Sequence, residues 1–332
     1  MVLDVHVPVA GPAEGDPLWL EGRVYEEGRP LRIGASDAAA ACNRSSYRTS
    51  LDLFLRARKL VDVVHDEEQE TRMRRGRRMQ SVIINEYAQE TGVHCVENQL
   101  MFFHPKFDFM AATPDAIVLS DPQKGLEVKA TTARMYSVDD DAKYGQEGTD
   151  AVPDDVLFQA QQQMAVMGWP QVDVAAMFGI FTLRVYPILR NDDLIDAIAE
   201  AEKELVERIV NNDPPQPNWT HPRTREILSI VNGVQANTVV QLGDDELQWW
   251  LRYKVLGEEI SHLEMERDEL RNRIIYAMGC AELGRFPRGE KELRRLIVKE
   301  SLYSESDLEE IRSKLGTVKR RSYERLLERK AK

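Results

Sequence analysis

Cysteine is scarce in this sequence: Cys42, Cys95 and Cys280 lie far apart, with no Cys-x-x-Cys pair. That excludes a disulfide framework and a zinc ribbon, and it suits a reducing, cytosolic compartment. Long apolar runs are absent too. None approaches the roughly 18 residues a membrane span needs, so an integral membrane protein is excluded. The N-terminal text from Met1 to Asp16 lacks a basic flank before its short apolar stretch, so no signal peptide is expected. Positive charge is in deficit: 44 Lys and Arg face 56 Asp and Glu, a formal −12. A body of that sign discourages loose binding to polyanions. No internal repeat is visible. What remains is ordinary globular material: 332 residues, 42% apolar and 30% charged. That is enough for one large core plus an appendage or for two domains, and too apolar for wholesale disorder.

The charge is uneven. Residues before Gln216 carry a formal −14 and the remainder +2. Inside the acidic part sits one dense basic run, Arg72-Met73-Arg74-Arg75-Gly76-Arg77-Arg78. A small basic groove in an acidic body can grip a polyanion at one place only.

Residues 1–30 read as a polar lead-in with an apolar clamp at Trp19-Leu20. Gly34-Ala35-Ser36-Asp37 opens an Ala-rich run, with Ser36 a candidate helix N-cap. Thr49 or Ser50 caps a second helix through Lys59. The acidic stretch Asp66–Thr71 reads as a loop. Helical spacing of Met79, Ile83 and Tyr87 predicts a long helix from about Met73 to Thr91, closed by Gly92. Segments 93–104, 107–119 and 125–131 are short and rich in β-branched and aromatic residues, as strands are. Residues 132–152 read as a charged, mobile loop. A helix over 154–168, strands over 172–179 and 181–189, and a helix from Asp192 to Asn211 follow. Asp213-Pro214-Pro215-Gln216-Pro217 is a stiff boundary. Beyond it Trp249, Tyr253, Leu256, Ile260, Leu263, Arg267, Leu270, Ile274 and Ala277 recur at spacings of four and three. That is a coiled-coil-like seam interrupted by Arg267, and it suits packing or oligomer contact. The basic end, Lys319 to Lys332, reads as helical.

The chemistry concentrates in Thr113-Pro114-Asp115, followed after eleven residues by Glu127-Val128-Lys129. A turn around Pro122–Gly125 folds these pieces into a hairpin that brings Asp115 beside Glu127. Glu127 and Lys129 are two apart and share one strand face. Two carboxylates among oxygen donors suit Mg2+, which leaves its other positions to water and phosphate. A nearby ammonium orients or helps deprotonate an attacking water. This is a layout for metal-assisted phosphodiester hydrolysis. An isolated pattern of this kind is usually a solvated surface hairpin; the order of predicted elements around it and the basic entry on the preceding helix argue otherwise.

That order and spacing resemble the PD-(D/E)xK nuclease superfamily, and more closely the YqaJ-type phage recombination nucleases related to lambda exonuclease. Four blocks spanning about residues 19 to 212 carry the resemblance: Arg32 to Ala39, Arg75-Gly76, Ala112-Thr113-Pro114-Asp115 with Leu126-Glu127-Val128-Lys129, and Gln159 to Val166. The resemblance implies an α/β fold, a central mixed sheet flanked by helices, with a helical, coiled-coil-like C-terminal extension. The implied organisation is a lead-in over 1–30, a nuclease domain over 31–213 and the extension over 214–332. It implies a Mg2+-dependent exonuclease, with Mn2+ as a substitute, acting 5′ to 3′ on duplex DNA ends in phage-type homologous recombination. Its setting would be the cytoplasm of a bacterial host. Its partners would be DNA ends, a single-strand annealing protein and further copies of itself, with no membrane. Alternatives are an endonuclease of the same superfamily and a DNA-end-binding scaffold with a weakened site.

By the same resemblance Asp115, Glu127 and the Val128 carbonyl hold the metal, and Lys129 positions the water. Gln159 holds that water or the Lys129 side chain. Arg32, Ser36 and Thr113 take a terminal 5′ phosphate, with Arg suited to a bidentate grip. Arg74, Arg75, Arg77 and Arg78 contact DNA. One position departs from lambda exonuclease-like members, where the long helix supplies a second-metal glutamate. Here that position is Gln80, a further candidate ligand that lacks the charge. Glu86 is off the same helix face. One tightly held metal, a carboxylate from Asp139 to Asp141, or weak catalysis are the alternatives.

Overall fold

The computed structural model describes residues 8–13, 16, 18, 21–61, 67–131, 144–179, 182–233, 238–286 and 292–294. The chain divides into two compact units, Met1–Ala236 and Asn237–Lys332. In the first, strand β1 (Val9–Ala13) precedes β2 (Ile33–Gly34), a 3-10 turn (Ala35–Asp37) and helix α1 (Ala38–Ala41). Helices α2 (Ser50–Ala57) and α3 (Glu67–Thr91) follow. Then come β3 (Cys95–Glu97), β4 (Leu100–Phe103), β5 (Met110–Ala112), β6 (Ala116–Val118) and β7 (Lys124–Thr131). Helix α4 (Asp154–Met167), strands β8 (Gln171–Phe178) and β9 (Thr182–Leu189), and helices α5 (Asp192–Asn211) and α6 (Pro222–Val231) complete it.

Local chemistry explains most ends. Thr49 caps α2 through a reciprocal box with Asp52, which satisfies two free N–H groups. Helix α4 closes on Gly168, whose φ of 71° is left-handed, a conformation Gly adopts without steric cost. Ser36 is not the expected N-cap. Strand β2 runs straight into the 3-10 turn, so Ser36 falls inside the turn, exposed, while neither the turn nor α1 has a side-chain cap. Of the stretch expected as a loop over 66–71, residues 67–71 are the first part of α3, and Asp66 lies outside the described residues. Glu, Gln and Arg are good helix formers, and acidic residues suit a helix N-terminus. The residues expected as a mobile loop are described only from Tyr144 onward; Asp139 to Asp141, the Trp19-Leu20 clamp and the basic end from Lys319 lie outside the described residues.

Two sheets form the core. One has the order β1-β4-β5-β2 and the other β3-β6-β7-β8-β9. Both are mixed: β2/β5 and β7/β8 are parallel, and the other pairs are antiparallel. The segment expected as one strand over 107–119 crosses between the sheets. Pro114, which has no N–H for a ladder, splits it into β5 and β6. Asn98 fastens the break: its Nδ2 donates to the carbonyls of Pro114 and Leu100, both at 2.9 Å. Period-two alternation then assigns faces. Ala175 and Met177 of β8 meet Ile83, Ile84 and Tyr87 of α3. Val172, Val174, Ala176 and Phe178 meet Val156, Ala160 and Met164 of α4. The five-stranded sheet is thus sandwiched between α3 and α4.

The Pro-rich stretch after Asp213, expected to open the extension, lies inside this first unit. After it, α6 buries Ile227 among Leu51, Phe54, Leu205 and Ile209. The second unit holds α7 (Asp244–Met278) and an antiparallel hairpin of β10 (Leu283–Arg285) and β11 (Glu292–Arg294). No residue of α7 is buried. Among the described residues no helix is long and apolar enough to cross a membrane.

Candidate active site

The site forms on β7 where β6 stops pairing with it. The β6/β7 ladder covers Ala116↔Leu126 and Ile117↔Gly125, and β7 continues to Thr131 alongside β8. Beyond Leu126 the β6 edge of β7 is open. Asp115, the residue before β6, fills the first gap: its Oδ2 accepts from the Val128 N–H at 2.8 Å. The N–H and C=O of one strand residue point to the same side. The Val128 carbonyl therefore faces the same open edge as Asp115.

Side-chain parity places Leu126 and Val128 with α3, so Glu127 and Lys129 face α4. There Glu127, only 2% exposed, is gripped by three donors. Lys129 Nζ and Gln159 Nε2 reach its Oε1 at 2.6 and 2.7 Å, and Gln163 Nε2 reaches its Oε2 at 2.6 Å. Lys129 Nζ also donates to Gln159 Oε1 at 2.8 Å. Burial alone would lower the Lys129 pKa, but the carboxylates of Glu127 and Asp115 raise it to about 12. In this charge state Lys129 is a donor and a counter-ion. Asp115 is pushed well above the usual carboxylate range, by burial first and by Glu127 second, against the pull of Lys129 and the Val128 N–H. Gly125, one residue pair upstream on the same face, has no room for a side chain because the Trp169 ring lies directly against it.

The donor set fits a hard divalent cation. Each carboxylate oxygen has two lone pairs. Both on Glu127 Oε1 are used, one remains on Oε2, and Asp115 Oδ2 has one taken by Val128. Two carboxylates crowd a buried space with one ammonium, a surplus of negative charge that a cation would cancel. Among the described residues no third His, Cys, Asp or Glu joins them. One or two carboxylates with the remaining positions left to water and phosphate is the Mg2+ pattern.

Of the residues expected at the site, Asp115, Glu127, Lys129 and Gln159 come together. Of Arg32, Ser36 and Thr113, Arg32 precedes β2 and the other two follow β2 and β5. Parallel pairing of Gly34 with Ala111 sends Ser36 and Thr113, each two residues further on, out of the same sheet end. Ser36 is exposed, and Thr113 Oγ1 is buried with no hydrogen-bond partner. Arg32 lies over the Phe103 ring at 3.9 Å, and its buried Nε has no partner. Gln80 falls on the inner stripe of α3, one turn before Ile83 and Ile84, whereas Glu86 is exposed on another face. Arg74, Arg75, Arg77 and Arg78 are all exposed along the first half of α3. Sequence reasoning missed Gln163; its four-residue spacing from Gln159 was the available signal. It also missed Tyr144, whose ring packs edge-on against Phe178 at 5.3 Å and whose hydroxyl lies in the field of Lys129.

Residues 24–170 match the family model of the YqaJ-like viral recombinase domain. The chain is 23% identical over 255 residues to the uncharacterized protein YqaJ of Bacillus subtilis (strain 168), an alignment covering 76% of each. The alkaline exonuclease LHK-Exo from Laribacter hongkongensis is similar at 17% identity and a TM-score of 0.42, over 59% of this chain and 94% of that one. A phage related exonuclease from Haemophilus somnus 129PT is similar at 11% identity and a TM-score of 0.41, over 55% and 96%. The YqaJ-like stretch contains Asp115, Glu127, Lys129, Gln159 and Gln163, and Arg32, Ser36 and Thr113 as well. The mixed sheets flanked by helices agree with the fold class that the sequence resemblance implied.

Proposed function

We propose that the YqaJ-like domain is a metal-dependent deoxyribonuclease, an exonuclease that degrades duplex DNA ends 5′ to 3′ in phage-type homologous recombination. The observation that carries this reading is the buried Glu127 carboxylate, held by Lys129, Gln159 and Gln163 beside Asp115. Asp115, Glu127 and the Val128 carbonyl would hold Mg2+, or Mn2+ in its place. A divalent cation supplies Lewis-acid polarisation of the phosphate and a water of lowered pKa. Lys129 stays charged, so it offsets negative charge at the phosphate and orients a water through its remaining N–H. Gln159 bridges Lys129 and Glu127 and fixes the direction of both. Arg32, Ser36 and Thr113 hold the terminal 5′ phosphate, and the exposed arginines of α3 grip the backbone of the duplex. A single-strand annealing protein would take the strand left behind, and further copies of this chain would join through α7.

The test is Mg2+-dependent cleavage of end-labelled linear duplex beside covalently closed circles. Degradation of linear DNA alone, faster with 5′-phosphorylated ends, is expected. Glu127→Ala should abolish it while far-ultraviolet circular dichroism stays unchanged. Cut circles would make the protein an endonuclease, and binding without cutting would make it an end-binding scaffold. Near-normal cleavage by Glu127→Ala would remove the assignment of the site.

A further inference from the structure

Behind the terminal-phosphate group lies a polar pair that the nuclease chemistry does not use. Gln162 of α4 is fully buried, and its Nε2 donates to the carbonyls of Ile33 and Ala111 at 2.9 and 3.1 Å. Both hydrogens of the amide are thereby spent, and the two carbonyls fix its orientation. Its Oε1 is left buried with no partner. The Glu202 carboxyl of α5 abuts this amide, is itself fully buried, and has no partner on either oxygen. Unpaired acceptors buried close together in a dry interior are costly. One proton on Glu202 removes the conflict, because a carboxylic acid carries an O–H donor.

We propose that Glu202 is kept as the neutral acid, donates to Gln162 Oε1, and so acts as a positioning residue for the ends of β2 and β5 that deliver Ser36 and Thr113. The surroundings agree. From the 3-10 turn the Asp37 carboxylate faces Glu202, and Arg23 and Arg48 pair with Asp37. After α1 comes the Cys42 thiol, which burial first and Glu202 second push up to about 12. Helix α2 presents the apolar Leu51, Phe54 and Leu55 to α5. No cation in this set is positioned to pair with Glu202 directly, since both arginines are engaged by Asp37. Burial first and Asp37 second hold Glu202 well above the usual carboxylate range, against a smaller downward pull from the Gln162 side chain. The acid form is therefore favoured by its neighbours as well as by the donor count.

The role in holding phosphate rests on the nuclease reading; the protonation does not. Three measurements on the full chain separate them. Infrared difference spectra between parent and Glu202→Gln at neutral pH should show the carbonyl band of a protonated carboxylic acid that the variant lacks. The melting temperature should respond to pH with a definite sign. A carboxyl with a raised folded pKa binds more protons folded than unfolded, so its contribution is full below the unfolded value and is lost as pH rises toward the folded one. Glu202→Gln has no such loss, and its melting temperature should gain on the parent as pH climbs from 5 to 8. In cleavage, Glu202→Gln should keep the parent's preference for 5′-phosphorylated ends, because its amide N–H replaces the acid O–H. Glu202→Leu should raise KM for those ends about tenfold with kcat unchanged. Absence of the acid band, or a Glu202→Gln protein as impaired as Glu202→Leu, would overturn the proposal. An acid band in a protein that cleaves no DNA would support the pairing and sink the nuclease reading.

Discussion

At the residue scale, the site depends on how tightly one carboxylate is held. Glu127 is aimed by three side chains, and Gln163 is the only donor to its Oε2 among the described residues. Gln163→Leu keeps the volume close and removes that donor. Glu127 is then free to rotate away from Asp115, and misplaced groups of this kind cost much in rate. Cleavage should fall about 10- to 100-fold and the melting temperature should fall modestly, because Glu127 Oε2 loses its donor while the orphan Gln163 Oε1 is removed with it. A rate within twofold of the parent would show that Lys129 and Gln159 suffice. Period two on a strand puts Glu127 and Lys129 on one face and the hairpin puts Asp115 beside them, whereas Gln159 enters through the family resemblance. The structure brings the four together. Gln163 was not legible in the sequence, since nothing in the text Gln161-Gln162-Gln163 says which amide turns to Glu127 and which to Ile33 and Ala111. Only the rotation of α4 on the sheets decides that. The cap expected at Ser36 failed for a related reason: a Ser before an Ala run looks the same whether the chain enters the helix from a loop or straight from a strand.

At the scale of elements, apolar periodicity read the helices well and the strands coarsely. Helix α5 has the expected bounds, and α4 ends where Gly168 predicts. The strands over 93–119 came out shorter and divided between two sheets, because the break at Thr113-Pro114-Asp115 is what delivers Asp115 to the β7 edge. The seam of α7 is the clearest case of an element whose pattern points beyond its own chain. Trp249 and Leu263 are 67% and 63% exposed, on a helix about 52 Å long. Tyr253, Ile260, Arg267 and Ile274 occupy the a positions and Leu256, Leu263 and Leu270 the d positions. Ile at a with Leu at d favours two parallel strands. A parallel pair in that register would bring Glu266 of one copy to Arg271 of the other. Arg267 at a is a polar interruption of the kind that fixes register at a cost in stability. Leu263→Asp should therefore halve the native mass measured by light scattering and leave cleavage of short DNA intact. Arg267→Ile should raise the melting temperature of the associated form. A parent already monomeric in solution would turn the seam toward a different protein or toward the chain's own C-terminal residues.

For the whole molecule, the decisive boundary is where the first unit ends. The Pro-rich stretch at Asp213 to Pro217 looks like a linker in the sequence, because Pro and Asn/Asp clusters usually separate domains. In the structure it is a connector that returns the chain to the core. Arg223 Nε pairs with the buried Asp52 Oδ1 at 3.2 Å, the His221 ring contacts the Ser45 carbonyl through Nε2 at 3.1 Å, and Ile227 fills the space between α2 and α5. Asp52 is also the acid of the box that starts α2, so α6 supports a helix that packs against α1. Two truncations distinguish the readings. A chain ending at Ala236 keeps every one of these contacts and should melt near the temperature of the parent's first transition, with metal-dependent cleavage of short DNA retained. A chain ending at Pro217 loses the burial of Ile227, about 2 kcal/mol, and leaves Asp52 buried without its cation, about 3 kcal/mol more. For a unit of this size each kcal/mol shifts Tm by about 2–4 °C, so its melting temperature should drop by about 10 °C or more. If both chains melt together, α6 is an ornament on the surface, and the unit ends where the prolines begin.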